Sequence, residues 1–251
     1  MTTSLPEIDE SAFKDLREHL INNNIPINRY RKSVGDGRSQ CYGMVRKRSM
    51  PPDLSRCSWC DPRLHYLLML FARMYVPIKF TSIQVNDSLL CLPHKDIHNV
   101  GESFIVAFGD FTDGELVLNL PDGKKELNIR HRPVLFDGSK IEHSVKEFKG
   151  RRWSIVYHTL EVPKKLPMIR SLTDYDAVVR NGQYVIAFYK PGEPVEYLSK
   201  KNGLPHPLKG RKKAAKPIVQ EKILKNPLLT LAQNLMLDAH ESSEEDSEFS
   251  E

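Results

Sequence analysis

Five short stretches decide the fold: IKFTSIQV (residues 78–85), SFIVAFG (103–109), ELVLNL (115–120), PVLF (133–136) and RRWSIVYHT (151–159). Each is rich in β-branched or aromatic residues. They are punctuated by Asp113-Gly114, Asp122-Gly123 and Asp137-Gly138, dipeptides that favour tight hairpins. Too few residues lie between them for crossover helices, so the spacing predicts an antiparallel sheet. Many short strands with turns at this interval predict a barrel or jelly roll, a mainly β core with flanking α-helices.

The flanks read differently. Phe13, Leu16 and Leu20 recur at helical spacing among charged residues and predict an amphipathic helix over 9–24. Residues 25–61 read as loops and short strands, in which Arg29, Arg31, Lys32, Arg38, Arg46, Lys47 and Arg48 are interleaved with Tyr30 and Tyr42. Asp61-Pro62 then supplies an N-cap and a first-turn proline for RLHYLLMLFARMY, a helix apolar enough to be mostly buried. The predicted organisation has four parts. Residues 1–77 are N-terminal helices and basic loops packed on the core, and 78–162 are the core itself. Residues 163–199 are an extension in which QYVIAFY (183–189) adds one strand, and 200–251 are a basic arm followed by an acidic disordered tail.

Composition narrows the function classes. The chain has 251 residues, 40% of them hydrophobic, which excludes a wholly disordered chain. No apolar run approaches the roughly 20 residues that cross a bilayer, and MTTSLPEIDE is unlike an export signal, so a soluble intracellular protein is expected. Cys41, Cys57, Cys60 and Cys91 are too few for a disulfide framework at this length. Cys57 and Cys60 have metal-ligand spacing without a second pair, so they read as buried thiols or, with His65 or Cys41, as a zinc site. Setting aside the seven acidic side chains of residues 238–251 turns the net charge of +5 into +12. A body so basic favours a polyanionic partner, met through loops 29–48 and the arm 200–225. Residues 209–216, KGRKKAAK, form a candidate nuclear-import signal.

The chemistry is carried by His94, Asp96 and His143. In an extended segment residues two apart share a face, so His94 and Asp96 can aim an imidazole and a carboxylate at one point. His143 follows Asp96 by 47 residues, room for about four strands of typical length to bring a third ligand round the barrel. Two histidines and one carboxylate with open positions form the facial triad of non-haem Fe(II) oxygenases. His98, His131 and His158 compete as ligands, though the first follows an apparent strand end and the others read as polar rim residues. On RRWSIVYHT, parity sets Arg152, Ser154 and Val156 on one face and Arg151, Trp153, Ile155 and Tyr157 on the other. If the first face looks inward, a buried guanidinium needs an anionic partner, and a metal-bound dicarboxylic acid would be one.

At this point TSIQVNDSLLCLPHKDIHNVGESFIVAFGDFTDGELVL (81–118) and VLFDGSKIEHSVKEFKGRRWSIVYHT (134–159) resemble the double-stranded β-helix core of Fe(II)/2-oxoglutarate dioxygenases. They look most like the ten-eleven-translocation/J-binding-protein branch, which oxidises the methyl group of a pyrimidine in nucleic acid. The resemblance implies that His94, Asp96 and His143 hold Fe(II), and that Arg152 with Ser154 binds the distal carboxylate of 2-oxoglutarate, with dioxygen as the oxidant. Asn86 and Asn99 match polar positions of related sequences and are co-substrate candidates, or simply turn caps. The implied substrate is 5-methylcytosine or thymine in DNA. Two alternatives stay open: hydroxylation of a prolyl or asparaginyl side chain in a protein, and a catalytically inactive barrel serving as a nucleic-acid-binding adaptor.

Overall fold

The computed structural model describes residues 2–27, 35, 37–46, 53–161, 175–188 and 194–198, all within one unit, Met1–Pro205. The arm at 200–225, the import candidate, the acidic tail and most of the loop stretch 29–34 and 47–48 lie outside the described residues.

The chain begins with β1 (Thr2–Ser4), a 3-10 turn (Glu10–Phe13) and α1 (Lys14–Asn22). Asp9 caps the turn by accepting from the Ser11 amide at 2.8 Å. Next come β2 (Arg38–Val45), β3 (Asp53–Leu54), α2 (Arg56–Cys60) and α3 (Pro62–Tyr75). As the Asp-Pro pair predicts, Asp61 caps α3 by accepting from the Leu64 amide at 3.1 Å. The core follows as β4 (Ser82–Asp87), β5 (Asn99–Asp113), β6 (Leu116–Leu120), β7 (Gly123–Leu127), β8 (Val134–Phe136), β9 (Glu142–Val145) and β10 (Phe148–Leu160). Last are β11 (Tyr175–Arg180), β12 (Gln183–Phe188) and β13 (Glu196–Leu198), a small antiparallel sheet where one added strand was expected.

The core is a jelly roll of two facing antiparallel sheets. The larger has the order β1-β8-β5-β10-β4-β2-β3 and the smaller β7-β6-β9. Successive strands β5 and β6 lie in different sheets, as do β8 and β9, and this alternation winds the roll. Of the three Asp-Gly pairs, only Asp122-Gly123 closes a hairpin, between β6 and β7. Asp113-Gly114 and Asp137-Gly138 turn the chain from one sheet to the other. Asp113 and Gly114 do so at φ of 62° and 75°, the left-handed region where glycine costs least.

Strand parity builds the layers. On β10, Trp153, Ile155 and Tyr157 face α1 and α3 and join Phe104, Val106 and Phe108 of β5 in one apolar cluster with Phe13, Leu16, Leu64 and Leu68. Ile105, Ala107 and Phe111 of β5 face the other way and pack with Leu116, Leu118, Val134 and Phe136 between the sheets. The large sheet is therefore apolar on both faces. One face is closed by helices, and the other is covered by the small sheet and opens into a cavity.

Candidate active site

Four strands, β5 to β8, separate Asp96 from β9, and β9 carries His143. The segment bearing His94 and Asp96 is not a strand end, as the sequence suggested. β4 stops at Asp87 because Ser88 takes a φ of 53°, and the chain loops to an isolated two-residue bridge in which His94 pairs with His143. Their backbones exchange hydrogen bonds of 3.0 and 2.9 Å, while the Asp96 amide donates to the Gly138 carbonyl at 2.9 Å. The main chain thus fixes all three residues against one another.

Their donor atoms lie within 4.8 Å of one another. His94 Nε2 is 4.0 Å from Asp96 Oδ1, and His143 Nε2 is 3.6 Å from Asp96 Oδ2. Two metal bonds of about 2.1 Å span at most about 4.2 Å, so each histidine can share one ion with Asp96. The tautomers agree. His94 Nδ1 lies 2.7 Å from the Leu92 carbonyl and His143 Nδ1 3.0 Å from the Ile141 carbonyl. A carbonyl oxygen only accepts, so each Nδ1 carries a proton and each ring turns its Nε2 to the common point. Phe136 stands edge-on to His143 with centroids 5.0 Å apart. A Cβ on Gly138 would sit 3.4 Å from His143 and 3.8 Å from Asp96 Oδ2, ordinary contact distances, so this glycine adjoins both residues. The donor set suits an iron-type ion with open coordination positions.

The three residues line a cavity of about 580 Å³. Leu89, Ile105, Leu116, Phe136, Val145 and Val156 form its apolar wall, while Gln84, Asn86, Ser154, His98, His158 and Asn99 add polar groups. Asn86 and Ser154 are paired across β4 and β10, and the Asn86 amide donates to Ser154 Oγ at 3.2 Å. Asn99 closes a turn by donating its main-chain N–H to Asp96 at 2.8 Å, and it also lines the cavity.

Arg152 is not itself on the cavity wall. It is 2% exposed, and its Nε and Nη2 have no hydrogen-bond partner. Burial pushes its pKa down to about 10, opposed by Cys91, a wall residue, so it remains charged at neutral pH. Its guanidinium stands 5.5 Å from the Phe111 ring and 5.7 Å from that of Phe148. A Cβ on Gly114 would come within 3.2 Å of its Cδ and Nε, so the glycine leaves room for the arginine. A buried cation without an anion costs free energy, which makes Arg152 fit for a carboxylate ligand.

The competing histidines separate. His131 lies away from the cavity, stacked on Phe13 at 5.1 Å. His98 and His158 line the cavity without joining the three-residue cluster, and Arg46 Nη1 reaches His98 Nδ1 at 3.3 Å. His158 shares the parity of Ser154 and Val156, and that signal could have placed it inward instead of on a polar rim. Gln84 escaped the sequence reading, and Cys41, read there as a thiol or zinc candidate, lines the cavity instead. Both sit in register with Val156, through β4 and β2. Cys57 and Cys60 are unoxidised, and among the described residues no ligand cluster forms around them.

No protein-family model matches the chain, and no curated protein matches it. Similarities to solved structures are distant. NgTET1 in complex with 5mC DNA is 16% identical, with 67% of this chain and 75% of that chain covered and a TM-score of 0.47. A Pseudomonas putida prolyl-4-hydroxylase is 13% identical over 64% of this chain and 93% of that chain, with a TM-score of 0.43. An oxidoreductase of the 2OG-Fe(II) oxygenase family from Burkholderia pseudomallei is 17% identical over 62% of this chain and 84% of that chain, with a TM-score of 0.42.

Proposed function

We propose that this chain is an Fe(II)- and 2-oxoglutarate-dependent dioxygenase that oxidises the methyl group of a pyrimidine, 5-methylcytosine or thymine, in DNA. The observation that carries the chemistry is the His94, Asp96 and His143 cluster on the cavity wall, with both imidazoles turned by their Nδ1 bonds to present Nε2. When bound, ferrous iron and 2-oxoglutarate together supply oxidation of a C–H bond by dioxygen, with 2-oxoglutarate decarboxylated to succinate.

The chain's own residues do the rest. His94, Asp96 and His143 hold the ion and leave positions open. Arg152 offers the distal carboxylate a planar fork, and Ser154, oriented by Asn86, adds a hydroxyl beside it. The apolar wall excludes water, which strengthens each of these contacts. DNA is supported by charge: the excess of lysine and arginine outside the acidic tail suits a phosphate backbone, with Arg38, Arg46 and Lys95 among the described residues. A base reaching the cavity from a duplex must leave the stack, at a cost of a few kcal/mol that phosphate contacts offset. Action on DNA also fits a nuclear location, with residues 209–216 as the import signal.

The test is mass analysis of nucleosides after methylated DNA is incubated with the protein, Fe(II) and 2-oxoglutarate. Oxidised 5-methylcytosine or thymine is expected, and it should vanish with Asp96→Ala. Succinate formed with peptides, and no altered nucleoside with any DNA, would replace this substrate by a protein side chain.

A further inference from the structure

The segment carrying two of the three clustered residues also carries an exposed apolar ridge. Of the seven large hydrophobic residues exposed among those described, Leu92, Ile97 and Val100 fall within nine consecutive positions, at 51%, 69% and 52% exposure. Ile97 is the most exposed of the three. It occupies the apex of the turn closed by the 2.8 Å bond from the Asn99 amide to the Asp96 carbonyl. Turn apices ordinarily hold glycine or short polar residues, so an isoleucine in water there gains nothing locally.

This apex is also fixed. The Asp96 amide is bonded to the Gly138 carbonyl at 2.9 Å, the His98 carbonyl accepts from the Glu161 amide at 2.7 Å, and the His98 ring meets Arg46. Ile97 nonetheless lines the cavity that Asp96 enters, so it stands on the rim one residue from the cluster. Cations flank it: Lys95 two positions away, and Arg46, which is 3.7 Å from Glu161. An apolar tip anchored at the mouth by main-chain hydrogen bonds, with cations beside it, suits insertion between stacked bases whose phosphates lie to either side. An apolar peptide would meet the tip equally well but would supply no anion for Lys95; Arg46 already has one in Glu161.

We propose that Ile97 is a positioning residue that enters the base stack of duplex DNA and fills the gap left by the base delivered to the His94, Asp96 and His143 site. This rests on the DNA reading above and adds to it a duplex substrate and a residue that holds the duplex open. A base already unstacked needs no such filler, so the contribution of Ile97 is confined to double strands.

The experiment compares wild type, Ile97→Ser and Ile97→Leu on one 5-methylcytosine oligonucleotide, presented single-stranded and annealed, with oxidised nucleoside measured by mass. Filling the gap offsets part of an unstacking cost of a few kcal/mol, so Ile97→Ser should slow duplex oxidation about tenfold or more. Single-strand turnover should fall far less than duplex turnover, with Ile97→Leu restoring the ratio of the two, because a local structural defect would slow both substrates alike. A 2-aminopurine beside the target base should brighten with wild type and not with Ile97→Ser. Equal losses on both substrates, an unchanged duplex rate, or a wild type confined to single strands would each overturn the role of Ile97 while base oxidation stood. A wild type that oxidises no DNA would remove the DNA reading itself, and the two failures are distinguished before any variant is compared.

Discussion

Arg151 and Arg152 are neighbours on β10, and their side chains enter surroundings that treat a positive charge in opposite ways. Arg151 belongs to the helix-facing parity and finds Asp87, with Nη2 to Oδ2 at 2.9 Å and Nε to Oδ1 at 3.3 Å. Arg152 points between the sheets, where its buried Nε and Nη2 meet aromatic rings and no acceptor. The helix side is closed by the chain's own groups. The cavity side holds a charge that a bound carboxylate would complete. The two faces of one strand thus answer to different demands, one packing against the helices and the other keeping a buried positive charge without an acceptor.

The largest effect should come from the packing face. Trp153 is 2% exposed and stacks on Phe108 with centroids 5.8 Å apart. Trp153→Ala should cost about 3–5 kcal/mol, read as the shift of a denaturant midpoint. A loss under about 1 kcal/mol would mean that the helix layer is not the principal core. Next, Arg151→Leu leaves the nearly buried Asp87 carboxylate unpaired, at a cost of about 2 kcal/mol. Arg152→Leu should move stability the other way, raising it by about 1 kcal/mol without co-substrate, because an unpaired buried charge gives way to an apolar chain. Destabilisation of similar size in both arginine variants would erase the contrast between the faces. In activity the order reverses. Arg152→Lys, a point charge in place of a fork, should raise the 2-oxoglutarate concentration needed for half-maximal turnover about tenfold or more, and Arg151→Lys should leave it nearly unchanged.

Much of this was legible in the sequence because it depends on residue type and parity. Trp153, Ile155 and Tyr157 alternate with Arg152, Ser154 and Val156, and alternation alone sorts them between two faces. The 47 residues from Asp96 to His143 hold four strands, β5 to β8, as the spacing required. What stayed hidden is non-local. An Asp-Gly pair reports that the chain turns, and it says nothing of which sheet the next strand joins. Asp113-Gly114 and Asp137-Gly138 therefore read as hairpins and are corners. The pairing of Thr2–Ser4 with Val134–Phe136 spans most of the core, and three residues carry too little pattern to announce it. His94 read as a strand end, although Ser88 breaks the strand and Pro93, without an N–H, precedes the bridge. Neither signal says where the loop will be pinned.

The subtlest expected effect is a proton effect on the helix side. His65 lies on α3, wholly buried, between the rings of Tyr42 and Tyr175 at 5.9 and 5.6 Å. Burial lowers its pKa from 6.5 to about 3, against smaller opposing contributions from the Ser58 backbone and the Asp61 carboxylate. The folded chain therefore keeps this ring neutral at a pH where the unfolded chain protonates it. The unfolded state binds more protons between pH 6.5 and about 3, so stability is full above 6.5 and falls as the solution is acidified. From pH 6.5 to 5.5 this one group should remove about 1 kcal/mol, measurable as a fall in the urea midpoint. His65→Gln removes the titrating ring, so whatever it does to stability at pH 7.5, its midpoint should be flatter with pH over that unit. An unchanged slope would mean that His65 takes up its proton in the folded state, which would require this side of the molecule to admit a charge as readily as the cavity side does.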